Sequence, residues 1–228
     1  ETGVRTEKPK LDKSHIASAI SDNGDLIILE EESATSKYYN SNGDLIAMTA
    51  PDGMRGPTVT ASSSNGEILV GFAQNISDRI YHPVRWVRKE VQVLESPKKT
   101  LLDTPLDVGA YARGCSADGS IIYGSVADDQ SALFWKNDKV DFIGRNQIKV
   151  HNITINHTGQ DVTYPVVDRP IFFADHSSMS PNGKYLATTF VLITAPNKYE
   201  VATSYPAYFD FEKETLTYLT NIPGGFSD

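Results

Sequence analysis

The chain has 228 residues, 39% hydrophobic and 22% charged, the proportions of a folded globular protein long enough to bury a substantial core. Its formal net charge of −8 disfavours duplex DNA or RNA as a partner, because phosphates demand Lys/Arg neutralisation. One cysteine, Cys115, excludes an intramolecular disulfide, and no run approaches the ~18 apolar residues of a membrane-spanning helix.

Taken from the start, Glu1-Thr2-Gly3 reads as a cleavage or cloning scar. Lys8-Pro9-Lys10 continues it as a leader, so residues 1–13 are expected to lack structure and 14–228 to form a single domain. No signal-peptide pattern stands at the beginning. A short phrase then recurs: serine, any residue, Asn or Asp, glycine, and an apolar run. It is Ser21-Asp22-Asn23-Gly24 before Leu26–Leu29, and Ser63-Ser64-Asn65-Gly66 before Ile68–Val70. It returns as Ser116-Ala117-Asp118-Gly119 before Ile121–Tyr123, and as Ser180-Pro181-Asn182-Gly183 before Tyr185–Ala187. Asn-Gly and Asp-Gly supply the positive φ angles of a tight hairpin turn, so each phrase predicts strand, turn, strand.

A second hairpin follows each phrase. Its leading strand is aromatic: Tyr38-Tyr39, Trp86, Phe134-Trp135, Tyr208-Phe209. Its turn is short and polar: Ser41-Asn42-Gly43, Arg88-Lys89-Glu90, Asn137-Asp138-Lys139, Glu212-Lys213-Glu214. Its closing strand alternates, as in Val91-Gln92-Val93-Leu94 and Thr215–Leu219, the mark of a strand with one buried face. Two hairpins in series make a four-stranded antiparallel meander, which is a propeller blade. The phrase glycines are spaced by 42, 53 and 64 residues. The first spacing matches the ~40–45 residue period of a blade and the others require loop insertions.

The expected fold is therefore an all-β propeller of at least four blades, approximately 14–57, 58–107, 108–146 and 171–223, with an inserted hairpin at 147–170. The insertion reads as a strand Gln147–Ile155, a turn Asn156–Gly159 and a returning strand Asp161–Val167. Gly224-Gly225-Phe226-Ser227-Asp228 reads as the opening of another repeat. Two readings follow: part of a larger ring with further blades on another segment or chain, or a small closed ring whose tail completes an existing blade.

Ser116–Gly124 with Ala132–Lys136 resembles the extracellular HAF-type repeat of secreted bacterial proteins, and Gly71 with Val84-Arg85-Trp86 is a looser match. Ser180-Pro181-Asn182-Gly183-Lys184-Tyr185-Leu186-Ala187 is similar to the S-P-D-G-K-x-[LI]-A phrase of TolB-like and WD40-like propellers. The resemblance covers the four turns, about a third of the chain. It implies a propeller that is secreted, periplasmic or lipid-anchored at a bacterial surface. It does not imply a ligand, because propellers host binding, scaffolding and catalysis alike.

Candidate functional residues lie in the interruptions of the repeat, since insertions and loops carry binding more often than strands do. They are His151, His157, Asp161 and Tyr164 of the inserted hairpin, with Asn197 and Tyr199 of the loop Thr194–Tyr199. Metal chemistry finds little support. Six residues of extended strand separate His151 from His157, about 20 Å, too far for one ion. Asp22–Asp25 and Asp128-Asp129 form no EF-hand loop. His15, His82 and the Asp175-His176 pair show no ligand or catalytic pattern. No cofactor is expected.

Catalytic motifs are equally weak. Gly114-Cys115-Ser116-Ala117-Asp118 fails the last position of a nucleophile elbow, so Ser116 is expected to cap its hairpin through its hydroxyl. No phrase meets the sialidase S-x-D-x-G-x-x-W pattern. The recurring aromatics fit packing between blades or a sugar-stacking platform, and their regularity favours packing. Cys115 reads as a small buried hydrophobe. The basic residues Arg79, Arg85, Arg88, Lys89, Lys98 and Lys99 are interrupted by Glu90 and Glu95, which argues against a nucleic-acid surface. Asn75-Ile76-Ser77, Asn152-Ile153-Thr154 and Asn156-His157-Thr158 match the glycosylation sequon by pattern.

The function these residues indicate is a non-catalytic extracellular binding or scaffold module, taking a protein or glycan ligand through loops on one face. The alternative is an enzyme-associated propeller, a glycosidase or lyase or the gating domain of a peptidase, with its site at the central channel.

Overall fold

The computed structural model describes residues 15–30, 35–39, 44–88, 90–99, 105, 108–128, 130–157, 159–171, 177–193 and 202–219. The expected leader, the Asp175-His176 pair, the loop 194–199 and the tail 224–228 lie outside the described residues. The described chain is almost entirely β. The first sheet holds β1 (His15–Ile20), β2 (Leu26–Glu30), β3 (Thr35–Tyr39) and β4 (Leu45–Ala47). The second holds β5 (Met54–Ser62), β6 (Ile68–Asn75), β7 (Tyr81–Val87) and β8 (Glu90–Val93). The third holds β9 (Ala110–Cys115), β10 (Ile121–Val126), β11 (Ala132–Lys136) and β12 (Lys139–Phe142).

A 3-10 turn (Arg145–Gln147) leads into a separate hairpin of β13 (Val150–His157) and β14 (Gln160–Val167). The fourth sheet holds β15 (Arg169–Ile171), β16 (Ser178–Met179), β17 (Tyr185–Ile193), β18 (Ala202–Asp210) and β19 (Thr215–Tyr218), with both β15 and β16 paired to β17. Every neighbouring pair is antiparallel and each sheet is a meander.

The phrase builds the turn that precedes the second strand. Ser63, Ser116 and Ser180 each donate a hydroxyl hydrogen bond to the Asn or Asp two residues on (2.9, 2.6 and 2.8 Å). Each also accepts the amide of the residue five positions on (3.0, 3.0 and 2.9 Å). The serine thus closes its own hairpin, satisfying donors that a tight turn leaves open.

The turns also stack sideways. The Asp22 amide donates to the Ser64 carbonyl (2.7 Å) and the Ser64 amide to the Ala117 carbonyl (2.8 Å). Further in, the Val59 amide donates to Ser36 Oγ (2.8 Å), and Thr60 Oγ1 donates to the Ala112 carbonyl (2.9 Å).

The sheets pack face to face in series, and their first strands are mutual neighbours: β5 lies on β1, β9 on β5, β16 on β9. The core is accordingly three apolar slabs, one per junction. Ile27, Met48, Val59, Leu69, Val84 and Trp86 fill the first. Val70, Ala112, Ile122, Leu133 and Trp135 fill the second. Ile121, Tyr123, Ile143, Leu186, Phe209 and Leu216 fill the third.

Trp86 and Trp135 reach back across their junctions, donating Nε1–H to the carbonyls of Thr49 (2.8 Å) and Glu95 (2.7 Å) on the segment that leaves the preceding sheet. The aromatic residues of the third strands thus serve packing: Trp86, Trp135, Phe209 and Tyr39 are each at most 5% exposed, while Tyr208 is 40% exposed.

The first hairpin departs from the others by one residue. Ser63, Ser116 and Ser180 bond the carbonyl five positions on, whereas Ser21 bonds that of Asp25, four positions on. Ile20 consequently pairs with Leu26, where Ser62 pairs with Leu69 and Cys115 with Ile122. Side chains alternate faces along a strand, so this slip sends the first sheet's residues to faces opposite those that phrase alignment predicts. Asp25 takes the structural place held by Ile68, Ile121 and Tyr185, and Tyr39 takes that of Trp86 and Trp135.

Candidate functional site

The inserted hairpin carries four of the sequence-predicted residues. Register pairs His151 with Val166, Ile153 with Tyr164, Asn156 with Asp161 and His157 with Gln160. By backbone register His151, His157 and Tyr164 occupy alternate positions of one ladder series and Asp161 a position of the other. Asn152, Thr154, Asp161 and Thr163 are exposed, and the Thr154 and Thr163 hydroxyls meet at 2.9 Å. The hairpin is shifted along the chain from its expected bounds, starting at Val150 rather than Gln147. Asn156 and His157 belong to β13 because their backbone ladder continues to Asp161 and Gln160, and the turn contracts around Gly159 at φ 87°. Asn197 and Tyr199 lie outside the described residues.

A concavity lies elsewhere, between the first and second sheets. It encloses about 380 Å³. Its walls are Tyr38, Ile46, Met48 and Leu69, with Asp25 inside and Glu67 and Arg88 at the mouth. Its origin is the register slip. At the second junction, a Cβ built on Gly119 would meet the Ile68 side chain; at the third, one on Gly183 would meet Ser116 first and Ile121 only at 3.9 Å. At the first junction, Gly66 faces the Ser21 side chain and, in place of isoleucine, the Asp25 carboxylate. A short carboxylate fills less of the wedge than a branched aliphatic side chain, and the space opens. Beside Phe134, at the third junction, only about 60 Å³ is left.

The cleft's electrostatics follow from its lining. Asp25 is 9% exposed, so its charge is largely withdrawn from water and must be met by donors. The Tyr38 hydroxyl is one, and that phenol is pushed up to about 12, first by burial and then by its hydrogen bond to Asp25. Arg88 pairs with Glu67 at 3.4 Å, both side chains well exposed, so the pair is weak.

The phrase marks Asp25 only as a residue after glycine, like Glu67, Ser120 and Lys184, all of which are at the solvent side of their turns. No sequence signal distinguishes it, because Leu26-Ile27-Ile28-Leu29 is apolar at every position and sets no register.

Cys115 is half-buried against the second apolar slab, and burial followed by the Asp118 charge pushes its thiol up to about 12. That is the reverse of an activated nucleophile. His82 Nδ1 lies 3.4 Å from Ser96 Oγ. Among the described residues no group of three His, Cys, Asp or Glu is placed to hold a metal ion, and no helix is long and apolar enough to cross a membrane.

The end of the sheet series has its own signature. Across the second sheet, one row of paired residues reads Leu69, Trp86, Val91, and it faces the preceding sheet. The equivalent row of the first sheet is Ile20, Leu26, Tyr39, Leu45. Ile20 is 68% and Leu45 43% exposed, and a Cβ on Gly24 would meet nothing within 4 Å among the described residues.

Four meander sheets packed face to face, with their first strands adjacent, match a known architecture. The tricorn protease aligns with 96% of this chain at a TM-score of 0.56 and 9% identity. The fold is that of a β-propeller. The chain spans 18% of the tricorn protease's length, and the likeness shows the fold alone. A protein described as TolB from Agrobacterium tumefaciens aligns with 91% of the chain and 81% of its own length (TM-score 0.44, 12% identity). The WD40 domain of SCAP from fission yeast aligns with 94% of the chain and 54% of its own length (TM-score 0.41, 14% identity). No family profile and no curated protein sequence matches the chain. The four sheets are propeller blades.

Proposed function

We propose that this chain is a non-catalytic extracellular binding or scaffold module. The observation that carries this reading is the cleft between the first two blades: a buried carboxylate inside apolar walls, at a place the next two blades fill with isoleucine. A concave site of that kind, largely apolar with a few placed polar groups, suits a ligand. The inserted hairpin and the loop 194–199 are further contact surfaces on the same reading, with His151, His157, Asp161, Tyr164, Asn197 and Tyr199 as their candidate residues. The extracellular, periplasmic or outer-surface location is supported by the resemblance of the Ser116–Gly124 repeat to secreted bacterial proteins.

On this reading the module fits into a larger ring. The row Ile20, Leu26, Tyr39 and Leu45 of the first sheet is exposed at its ends, Ile20 and Leu45, and buried at Tyr39, which stands where Trp86 and Trp135 bond back to a preceding blade. A preceding blade on another segment or chain would meet the exposed ends.

The test is a paired assay on the purified chain. Polygalacturonate, oligosaccharides and peptides are incubated with it for turnover, and amide chemical shifts are followed over the same panel. The expected result is reversible shift changes without product. Product formation that disappears on substituting an acid or histidine of the chain would replace this reading with the enzyme-associated one.

A further inference from the structure

We infer that the cleft between the first and second blades receives the ammonium group of a lysine side chain presented by a partner protein. This rests on the binding-module reading and names the ligand chemistry of that site. Three features converge.

The first is Asp25. A carboxylate at 9% exposure is placed where Ile68 and Ile121 close the equivalent junctions. A carboxylate presents several acceptor sites, and the Tyr38 hydroxyl fixes its position. A cation entering the cleft therefore meets an oriented carboxylate that is itself largely buried, which strengthens the attraction relative to bulk water.

The second is the wall. Ile46, Met48 and Leu69 offer apolar surface between that carboxylate and the mouth. A ligand that fits carries an apolar stem behind its charge. Lysine is such a group, a compact ammonium on a flexible four-carbon chain. Arginine fits less well, because its planar fork needs both carboxylate oxygens in one plane and Tyr38 already bonds this carboxylate.

The third is the mouth. Glu67 and Arg88 flank the entrance, and they bond each other. The Arg88 guanidinium is partly offset there by Glu67, 3.4 Å away, and the chain as a whole carries a net charge of −8.

The experiment titrates the intact chain with N-acetyl-lysine N-methylamide and follows the amides of Asp25, Gly66 and Leu69 by NMR. Arms with the norleucine, arginine and glutamate analogues run beside it. The lysine analogue is expected to saturate these amides in the millimolar range and to bind at least about tenfold tighter than norleucine, the scale of one desolvated charge contact. Asp25→Asn is expected to weaken it about tenfold, and Arg88→Ala to tighten it two- to threefold by unmasking Glu67.

Equal binding of norleucine, unchanged affinity in Asp25→Asn, or weaker binding in Arg88→Ala overturns the proposal. Arg88→Ala alters only an exposed side chain, so it decides the matter even where Asp25→Asn compromises folding. Glycan-induced shifts at the cleft with no lysine response would sink the lysine assignment while leaving the binding-module reading in place.

Discussion

The junction between blades 1 and 2 and the junction between blades 2 and 3 are assembled from the same parts and end differently. In both, a third-strand tryptophan bonds back to the preceding linker and a phrase glycine packs on the preceding turn. At the second junction the wedge residue is Ile68, whose side chain fills the space beneath Gly119. At the first it is Asp25 and a cleft remains. One residue of register, with no insertion or deletion in the phrase, separates a structural joint from a candidate binding site. The difference between the two junctions is thus written in how a hairpin closes, rather than in an added motif.

The largest test of that contrast exchanges the wedge residues. Ile68→Asp puts a carboxylate into a half-buried apolar wedge where Arg85, already paired with Asp138, holds the register place of Tyr38. It is expected to cost about 3 kcal/mol, read as a lower midpoint in urea unfolding. An Ile68→Asp chain as stable as the parent would mean that the second junction is as permissive as the first.

Gly71 and Gly124 sharpen the comparison at the next level. They hold the same place in blades 2 and 3, where any Cβ would overlap the Thr58 or Tyr111 carbonyl oxygen, while blade 1 has Ile28 there. Gly71→Ala is expected to destabilise by about 2–3 kcal/mol through backbone displacement. The reverse change in blade 1, Ile28→Gly, tests the same place as a simple cavity, and its thermal shift should track lost apolar volume.

The tryptophan bonds give a smaller effect. Trp86→Phe and Trp135→Phe keep the ring and remove the N–H, leaving the Thr49 and Glu95 carbonyls without it, at about 1–2 kcal/mol each. Equal costs would show that the two junctions share this bond on equal terms. A negligible cost at Trp86 would show that water in the cleft replaces it.

Asp25→Ile should work the other way, filling the wedge for a gain of about 1 kcal/mol, with a raised Tm and loss of the cleft.

The finest readout is titration. Tyr38 in the cleft and Tyr123 in the third junction are both raised from 10.0 to about 12, in each case chiefly by burial. Because the folded phenols hold their protons longer than the unfolded ones, their contribution to stability is complete below pH 10 and is lost as pH climbs from 10 to 12. Ultraviolet titration should show two phenols ionising late. Asp25→Asn should bring only the cleft phenol earlier, since Asp25 is a cause of the shift at Tyr38 and not at Tyr123. Cys115, raised to about 12, should react with a thiol reagent at pH 8 about a hundredfold more slowly than a free cysteine.

The blade pattern was legible because it is local. Asn-Gly and Asp-Gly turns, a serine that caps them and an alternating closing strand each declare themselves within a few residues. The packing role of Trp86 and Trp135 was legible too, from recurrence at one place in the repeat. The cleft was not, because it depends on register. Leu26–Leu29 and Tyr38-Tyr39 are apolar or aromatic on both faces, so neither hairpin alignment violates the pattern, and only the ladder itself says which side Asp25 joins. The inserted hairpin was recognisable as two strands, but its turn fell two residues later than expected, since Asn156-His157 and Gly159 all suit a turn and long-range pairing chose among them.

The sideways stacking of the turns explains a freedom and a restriction at the second residue of the phrase. Asp22, Ser64 and Ala117 share nothing in their side chains, because each contributes only its peptide group to the row of bonds between blades. Charge, size and polarity can drift there at little cost, while imino acids are excluded wherever an amide must be handed on. Pro181 occupies that place in the fourth turn. It can accept from a neighbour but has no hydrogen to give. The string therefore has a polarity, running from the Asp22 amide through Ser64 to the Ala117 carbonyl, and a turn built like the fourth could not pass it on.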